Sequence, residues 1–518
     1  MLINGRSIAA GCRLKAGICI VGTGMGAISV ACKLVDAGAD ILFIEAGPLT
    51  AGRRDVAPLR IEETGRPFRL PRSRGLEVGG GTAFWHGVCA PLDEIDFERR
   101  DWVPHSGWPI GRGDMEEPYR QAWDFLCGGD HGALGGSGAV KDGLRQLPSA
   151  ADVFEDKVYQ FRSPPFRGKD KILAWSGQDR IRCVTDAVAL QLSGDGWGVV
   201  RELVVGSAGR TFTVEAQAFI IAAGALETPR LLLNSSMGPE SRLGLDSWWL
   251  GRNLIDHPAA YVSQVLFGKR VPGHLFSGFD IGANMHGLPG FVFAPEMQRR
   301  HALLNHTLFI RPGLNAHKVP NRELMSFLGV RGVRDLRPTH VKAMLTAPYI
   351  RWRVLHQRLR LDSWTAYGDL FFMTEQAPNP DSRVELSATR KDAYGYSVAR
   401  VNWQLSRDEI EGFGRALALA MESFSRHPEI HSVRKDGIGD WLDSVCSAAH
   451  HLGTARMASS PRDGVVDPNL KVFGAANVWI CDGSVFPTAG SVNPSLTICA
   501  LGHRLGSHLL DSQKWLYS

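Results

Sequence analysis

The chain has 518 residues, 44% of them hydrophobic and 21% charged, which fits a globular protein of two closely joined domains and excludes a disordered or collagen-like one. Its formal net charge of +5 is small for the length and its basic residues are dispersed, so no nucleic-acid partner is expected. No stretch approaches the roughly 18 apolar residues of a membrane span, no signal-peptide-like apolar run opens the chain, and the nine cysteines show neither a C-x-x-C pair nor metal-ligand spacing. A soluble, cytoplasmic protein with reduced thiols is the expectation, with attachment to a membrane partner left open.

Ile18–Val21 is a short run rich in β-branched residues and reads as a buried parallel strand. Gly22-Thr23-Gly24-Met25-Gly26-Ala27 follows, then an amphipathic segment from Ile28 to Ala37 ending at Gly38, then a second apolar run, Ile41–Ile44, closed by Glu45. This is strand–turn–helix–strand with G-x-G-x-x-A at the turn. Gly22 permits the tight turn, Gly24 lets the backbone approach a pyrophosphate, and Ala27 allows close helix–strand packing. The helix N-terminus offers unpaired N–H groups to phosphates. Glu45, 23 residues after Gly22, is placed to accept hydrogen bonds from ribose hydroxyls. A dinucleotide is expected; this segment alone does not separate FAD from NAD(P).

Arg69–Pro109 is rich in Gly, Arg and Trp and reads as irregular. A helix is expected over Asp114–Leu126 with Asp114 as N-cap, and residues 128–143 as a Gly-rich loop. Strands are expected at Arg182–Leu192, Gly198–Val205, Thr211–Val214 and Phe219–Ala223, the last closed by Gly224. A helix over Leu226–Asn234 follows, with Pro229 in its first turn. Residues 260–440 are mixed, with a basic amphipathic stretch at about 340–360 that reads as a solvated helix face. Asn493-Pro494 reads as an N-cap and first residue of a helix over 495–510.

Several segments resemble the glucose–methanol–choline (GMC) oxidoreductase family. Gly79-Gly-Gly-Thr-Ala-Phe-Trp-His-Gly87 is similar to its Gly-rich flavin loop, Ala223-Gly-Ala-Leu-Glu-Thr-Pro-Arg-Leu-Leu232 to its second signature, and Gly251-Arg-Asn-Leu-Ile-Asp-His-Pro258 to its GRNL-x-DHP stretch. His450-His-Leu-Gly-Thr454, Asp482-Gly-Ser484 and Asn493-Pro494 resemble its C-terminal block. The resemblance implies an α/β fold: a Rossmann-like FAD-binding domain (1–90, 175–265 and 443–518) with an inserted substrate domain on an antiparallel sheet (91–174 and 266–442). It implies FAD as cofactor, held by Gly22, Thr23, Gly24, Met25, Gly26, Glu45, Ala46, Gly80, Thr82, Trp85, Val188, Ala223, Gly224, Asp482, Gly483, Asn493, Pro494 and Leu496.

Oxidising an alcohol requires removal of the hydroxyl proton and departure of the α-hydrogen as hydride toward flavin N5. Histidine suits the first task because it titrates near working pH. The family register selects His450 as the base, with His451 as the spare, and Asn493 as the group that orients the substrate oxygen. A His-His pair can also be a structural or metal-binding feature; no metal is expected here. Where some members attach FAD covalently through a histidine, this chain has Phe84, and His86 falls outside the register, so FAD is expected to be non-covalent. The block after His450 and the segment Glu375–Val384 look most like sugar- and polyol-oxidising members. The expected substrate is therefore a small-molecule alcohol, a sugar, glycoside or polyol hydroxyl, with O₂ or an electron carrier as acceptor. A lyase with structural FAD and a dehydrogenase of non-sugar alcohols are the alternatives.

Overall fold

The computed structural model describes residues 1–50, 59–67, 73–128, 153–194, 198–236, 247–272, 279–282, 284–313, 364–434, 442 and 445–512. Residues 129–143 of the loop expected at 128–143, and the basic stretch at about 340–360, lie outside these residues.

An eight-stranded sheet forms the first layer. Its order is Leu2–Asn4, Ile181–Thr185, Ile41–Ile44, Arg13–Val21, Arg210–Ile221, Val200–Ser207, Val188–Gly194, and Val478–Ile480 pairs with the far end of Arg210–Ile221. The first five strands and Val478–Ile480 pair in parallel; the other two close the sheet antiparallel. Ile18–Val21 and Ile41–Ile44 are buried throughout, the burial a parallel strand covered on both faces requires. Three helices matter most for the site: α1 (Met25–Asp36), α2 (Gly224–Ser236) and α3 (Ser495–Ser512). α1 and α3 pack closely because Gly502 and Gly506 of α3 face α1. A Cβ at Gly502 would stand 2.6 Å from the Ser29 Cβ, and one at Gly506 2.8 Å from the Lys33 Cβ.

The second sheet is antiparallel. It runs Phe279–Gly282, Met285–Phe293, Thr307–Gly313, Trp364–Met373, Pro258–Pro272, Ile430–Val433, with Phe154–Arg162 and Cys446–Ser447 pairing at its sides. The strand Pro258–Pro272 runs across residue 265, where the two units were expected to divide. The helix Arg407–Arg426 covers this sheet with Phe413, Ala416, Leu417, Ala420 and Phe424, a 3–4 spacing that packs against Phe154, Phe291 and Phe372. The mixed α/β architecture is the expected one. Among the described residues no helix is long and apolar enough to cross a membrane.

Several local expectations are corrected. Arg182–Leu192 is two strands, broken where Asp186 adopts φ +54°, and they lie on opposite sides of the sheet. Thr211–Val214 and Phe219–Ala223 merge into the single strand Arg210–Ile221. Asp114 does not cap a helix: it lies in a 3₁₀ turn before Glu116–Cys127, and its carboxylate reaches back to the Gly111 N–H at 2.7 Å. Pro229 stands sixth in α2 rather than in its first turn. The carbonyl its missing N–H leaves free, that of Ala225, accepts instead from Thr454 Oγ1 at 2.7 Å. Thus the proline of the second signature is compensated by the threonine of the His-His segment.

Candidate active site

The nucleotide end is built on the first turn. Gly22 has φ +97°, and a Cβ there would stand 2.4 Å from the Ala222 carbonyl oxygen. Gly24 precedes α1 with no side chain capping the helix, and nothing lies within 4 Å of where its Cβ would be. Ala27 is buried, but the closest approach belongs to Gly26, whose Cβ would sit 1.8 Å from the Cys481 carbonyl oxygen. That glycine joins α1 to the segment leading into Asp482.

Thr23 Oγ1 donates to Glu45 Oε2 at 2.5 Å and accepts from the Gly79 N–H at 2.9 Å, tying the Gly-rich loop to the turn. Gly80 packs over Gly24. Thr82 Oγ1 donates to the Gly79 carbonyl at 2.6 Å and accepts from the Gly168 N–H at 2.8 Å, while Trp85 Nε1 donates to the Phe166 carbonyl at 2.8 Å. These two residues hold the loop together. Glu45 also accepts from the Gly47 N–H at 2.8 Å and the Thr23 N–H at 3.1 Å. A carboxylate has about four acceptor positions, so one more donor, such as a ribose hydroxyl, is accommodated. Burial pushes the Glu45 carboxyl up to about 7, against the opposing hydrogen bonds from Thr23 and Gly47. The Glu45 carbonyl accepts from the Ala187 N–H, bringing Val188 beside it, and Ala46 packs on the Val188–Leu190 cluster.

Gly224, at φ +83°, and Gly81 are, like Gly24, open where a Cβ would stand. Three open glycines beside an uncapped helix N-terminus fit an extended dinucleotide such as FAD, whose backbone-cradled phosphates need that space. Met25 opens α1, and Asp482 is a staple: Oδ2 accepts from the Gly224 N–H (2.8 Å) and Thr228 Oγ1 (2.6 Å), Oδ1 from the Ser484 N–H (2.8 Å). Gly483 packs on the His451 carbonyl.

At the other end, the segment Gly251–His257 runs antiparallel to Ala448–Thr454. Gly251 N–H donates to the Thr454 carbonyl, Ile255 and Leu452 exchange backbone bonds, and Ala448 N–H donates to the His257 carbonyl. Gly453, at φ +91°, is required: a Cβ there would stand 2.1 Å from the Asn253 carbonyl oxygen. This pairing sets His257 against His450, Nδ1 to Nδ1 at 3.0 Å. His450 Nε2 lies 3.1 Å from Asn493 Nδ2, so the two expected catalytic residues meet. α3 begins at Ser495, with the Pro494 carbonyl accepting from the Ile498 N–H at 2.9 Å. That is one residue later than the expected Asn493 cap. Asn493 is directed to His450 instead, with Pro494 and Leu496 buried behind it. Burial, then the neighbouring His257 and His451, hold the His450 pKa well below the usual imidazole range.

Asp256, His257 and His450 bring potential ligand atoms within 4.8 Å of one another. Sequence spacing hid this cluster, because Asp256 is distant in the chain. Its carboxylate accepts from the His257 N–H (2.6 Å), the His450 N–H (3.1 Å) and Ser447 Oγ (2.6 Å). The two Nδ1 atoms lie 3.0 Å apart, the distance of a hydrogen bond between the rings. His451 is pushed down to about 3 by burial, with Nε2 3.8 Å from Asp256 Oδ2. Sequence reasoning missed Asp256 and His257 as members of the site, although both lie inside the quoted GRNL-x-DHP stretch. It also missed the buried pair Arg100–Glu375 beneath the Gly490–Asn493 loop.

An open Gly turn after a parallel strand and a histidine–amide pair brought together from distant segments are the parts that an oxidoreductase with a dinucleotide cofactor needs. Residues 183–259 match the N-terminal, and residues 378–502 the C-terminal, GMC oxidoreductase family model. The chain is 25% identical to 2-methyl-1,2-propanediol dehydrogenase of Mycolicibacterium austroafricanum over 58% of this chain and 49% of that one, so the match spans about half of that relative's length. It is 26% identical to C-glycoside 3-oxidase of Microbacterium trichothecenolyticum over 84% of this chain and 75% of that one. Its fold is similar to that of pyridoxine 4-oxidase from Mesorbium loti, with a TM-score of 0.56 at 17% identity over 96% of this chain and 99% of that one. The two matched segments are those of the N- and C-terminal domains of the GMC oxidoreductases, FAD-binding flavoenzymes, and the two curated relatives are a dehydrogenase and an oxidase.

Proposed function

We propose that the protein oxidises a hydroxyl of a sugar, glycoside or polyol to a carbonyl, with His450 as base and Asn493 as the group that holds the substrate oxygen. The observation that carries this reading is the 3.1 Å contact between His450 Nε2 and Asn493 Nδ2. An alcohol oxygen entering between them replaces one hydrogen bond with two: its O–H donates to His450 Nε2, and Asn493 Nδ2 donates to the oxygen. The hydroxyl proton passes to Nε2 as the carbon–oxygen double bond forms. FAD, when bound, supplies the acceptor for the hydride that leaves the carbinol carbon. Asn493 carries no titratable group, so it orients without competing for the proton.

The likeness to C-glycoside 3-oxidase and a propanediol dehydrogenase supports the substrate class. A panel of sugars, glycosides, polyols and simple primary alcohols, each run with O₂ and with a dye acceptor, tests it. The highest kcat/KM is expected among the polyhydroxylated compounds. Turnover confined to simple alcohols would overturn the class, and the ratio of the two acceptors separates oxidase from dehydrogenase.

The cofactor is expected to be non-covalent. Phe84 offers no nucleophile and His86 is exposed, outside the register of the attachment position. Acid precipitation should release all the flavin into the supernatant; a yellow pellet would refute this.

A further inference from the structure

The His-containing stretch before the strand Pro258–Pro272 serves as a family signature, yet its histidine makes a contact that the proposed chemistry has not used. His257 is fully buried, and its Nε2 lies 2.9 Å from the Gly490 carbonyl oxygen. A carbonyl can only accept, so Nε2 carries the proton. A neutral His257 then presents a lone pair at Nδ1, and His450 Nδ1, 3.0 Å away, must donate to it. That leaves the lone pair of His450 on Nε2. At the far end Asn493 Nδ2, 3.1 Å from Nε2, can only donate. A group that only accepts and a group that only donates therefore impose the same polarity from opposite ends of the chain.

We propose that His257 is a positioning residue: it locks His450 in the tautomer whose Nε2 is the proton acceptor. This rests on the reading of His450 as the base. The scaffold around it is rigid. Asp256 accepts the backbone N–H of both histidines and so holds their separation. Gly490 has φ +65°, and a Cβ there would meet Leu92 Cδ2 at 2.5 Å and Asp96 Oδ2 at 2.7 Å; its N–H donates to Glu375 Oε1 at 3.2 Å. Glu375 is in turn held by both Arg100 nitrogens at 2.7 and 2.8 Å. The orientation of the base is thus traceable through Gly490 to a buried ion pair. Burial pushes His257 down to about 4, against the hydrogen bond that it donates to the Gly490 carbonyl and the charge of Glu375, so the neutral ring needed for this polarity is the form present near neutral pH.

Two substitutions separate this role from mere packing. His257→Asn keeps an acceptor at the Nδ1 position and loses the bond to Gly490. His257→Gln keeps a donor toward Gly490 and loses the Nδ1 acceptor. Flavin content, unfolding midpoint, substrate Kd and the limiting rate of anaerobic flavin reduction are measured for both, with His450→Ala alongside. The Asn variant should reduce its flavin within about 10-fold of wild type, and the Gln variant about 10- to 100-fold more slowly than the Asn variant at little-changed Kd; a misassigned catalytic tautomer costs up to about 10⁴-fold elsewhere. In protein labelled with ¹⁵N-histidine, His450 Nε2 should give a pyridine-type signal in wild type and a partly pyrrole-type signal in the Gln variant, where only Asn493 still favours the lone pair on Nε2. A Gln variant as fast as the Asn variant, or an unchanged His450 tautomer in it, overturns the role of His257. Near-normal reduction by His450→Ala instead overturns the reading of His450 as base, so the two failures are distinguishable.

Discussion

Replacing His450 with alanine is expected to leave a folded, yellow protein whose flavin is reduced by substrate about 10²- to 10⁴-fold more slowly than in the wild type, the range that positioned acid–base groups contribute. His450 is half-buried and belongs to no apolar cluster, so its loss removes a proton acceptor and leaves the core intact. Asn493 Nδ2 loses its partner, and His257 Nδ1 is left facing the gap. The measurement is anaerobic stopped-flow absorbance of the bound flavin at saturating substrate. A rate close to wild type would remove His450 from the mechanism. A wild-type flavin that stays oxidised with every alcohol would point to the lyase chemistry some relatives of this fold perform. The wild-type pH profile carries a second signature. Burial and the adjacent imidazoles lower the His450 pKa, and the competent base is the neutral ring. The acid limb of the limiting rate should therefore lie below pH 6.5, the ordinary histidine value, rather than above it.

The second large effect belongs to Arg100, which reaches His257 only through Glu375 and Gly490. Arg100 and Glu375 are both fully buried and joined by two hydrogen bonds. Glu375 additionally accepts from the Asn305 N–H at 2.7 Å and the Gly490 N–H. Burial alone would raise the Glu375 carboxyl, but the charge and hydrogen bonds of Arg100 outweigh it and hold the group below its ordinary value. Arg100→Met fills much of the same volume and strands a buried carboxylate, a change that costs about 3–5 kcal/mol. The urea midpoint should fall accordingly, and Arg100→Met combined with Glu375→Gln should recover much of the loss. The pair's contribution is present above the unfolded carboxyl pKa and is lost as pH falls through the depressed folded value. In the single variant Glu375 is instead pushed up and takes a proton on acidification. The gap to wild type should therefore be widest near neutral pH and narrow in acid. An unchanged midpoint at neutral pH would mean that the ion pair does not anchor the loop beneath Asn493.

Much of the fold was legible where one stretch of chain carries its own signal. Ile18–Val21, Gly22–Ala27 and Ile41–Glu45 are contiguous, and their order alone specifies a strand, a turn open to phosphate, a helix and an acid. Local periodicity failed where the determinant was elsewhere. The break at Asp186 was invisible in a run that reads as one strand, because the two halves are separated by the sheet order rather than by composition. Proline is favoured at the start of a helix, which predicts Pro229 in a first turn; its interior place depends on a hydroxyl, that of Thr454, 225 residues away.

What the sequence determined by itself was the class of chemistry: a dinucleotide-binding turn at one end of the chain, and a histidine and an asparagine in family register at the other. Only the tertiary structure decided how those two side chains meet and which nitrogen of His450 faces Asn493. The reason is that a tautomer is set by the partner of the opposite ring nitrogen, and that partner, His257, comes from a segment 193 positions away, docked by backbone pairing. Hydrogen-bond polarity is a property of a closed network, and this network closes through Gly490, Glu375 and Arg100, residues whose proximity no spacing in the chain records.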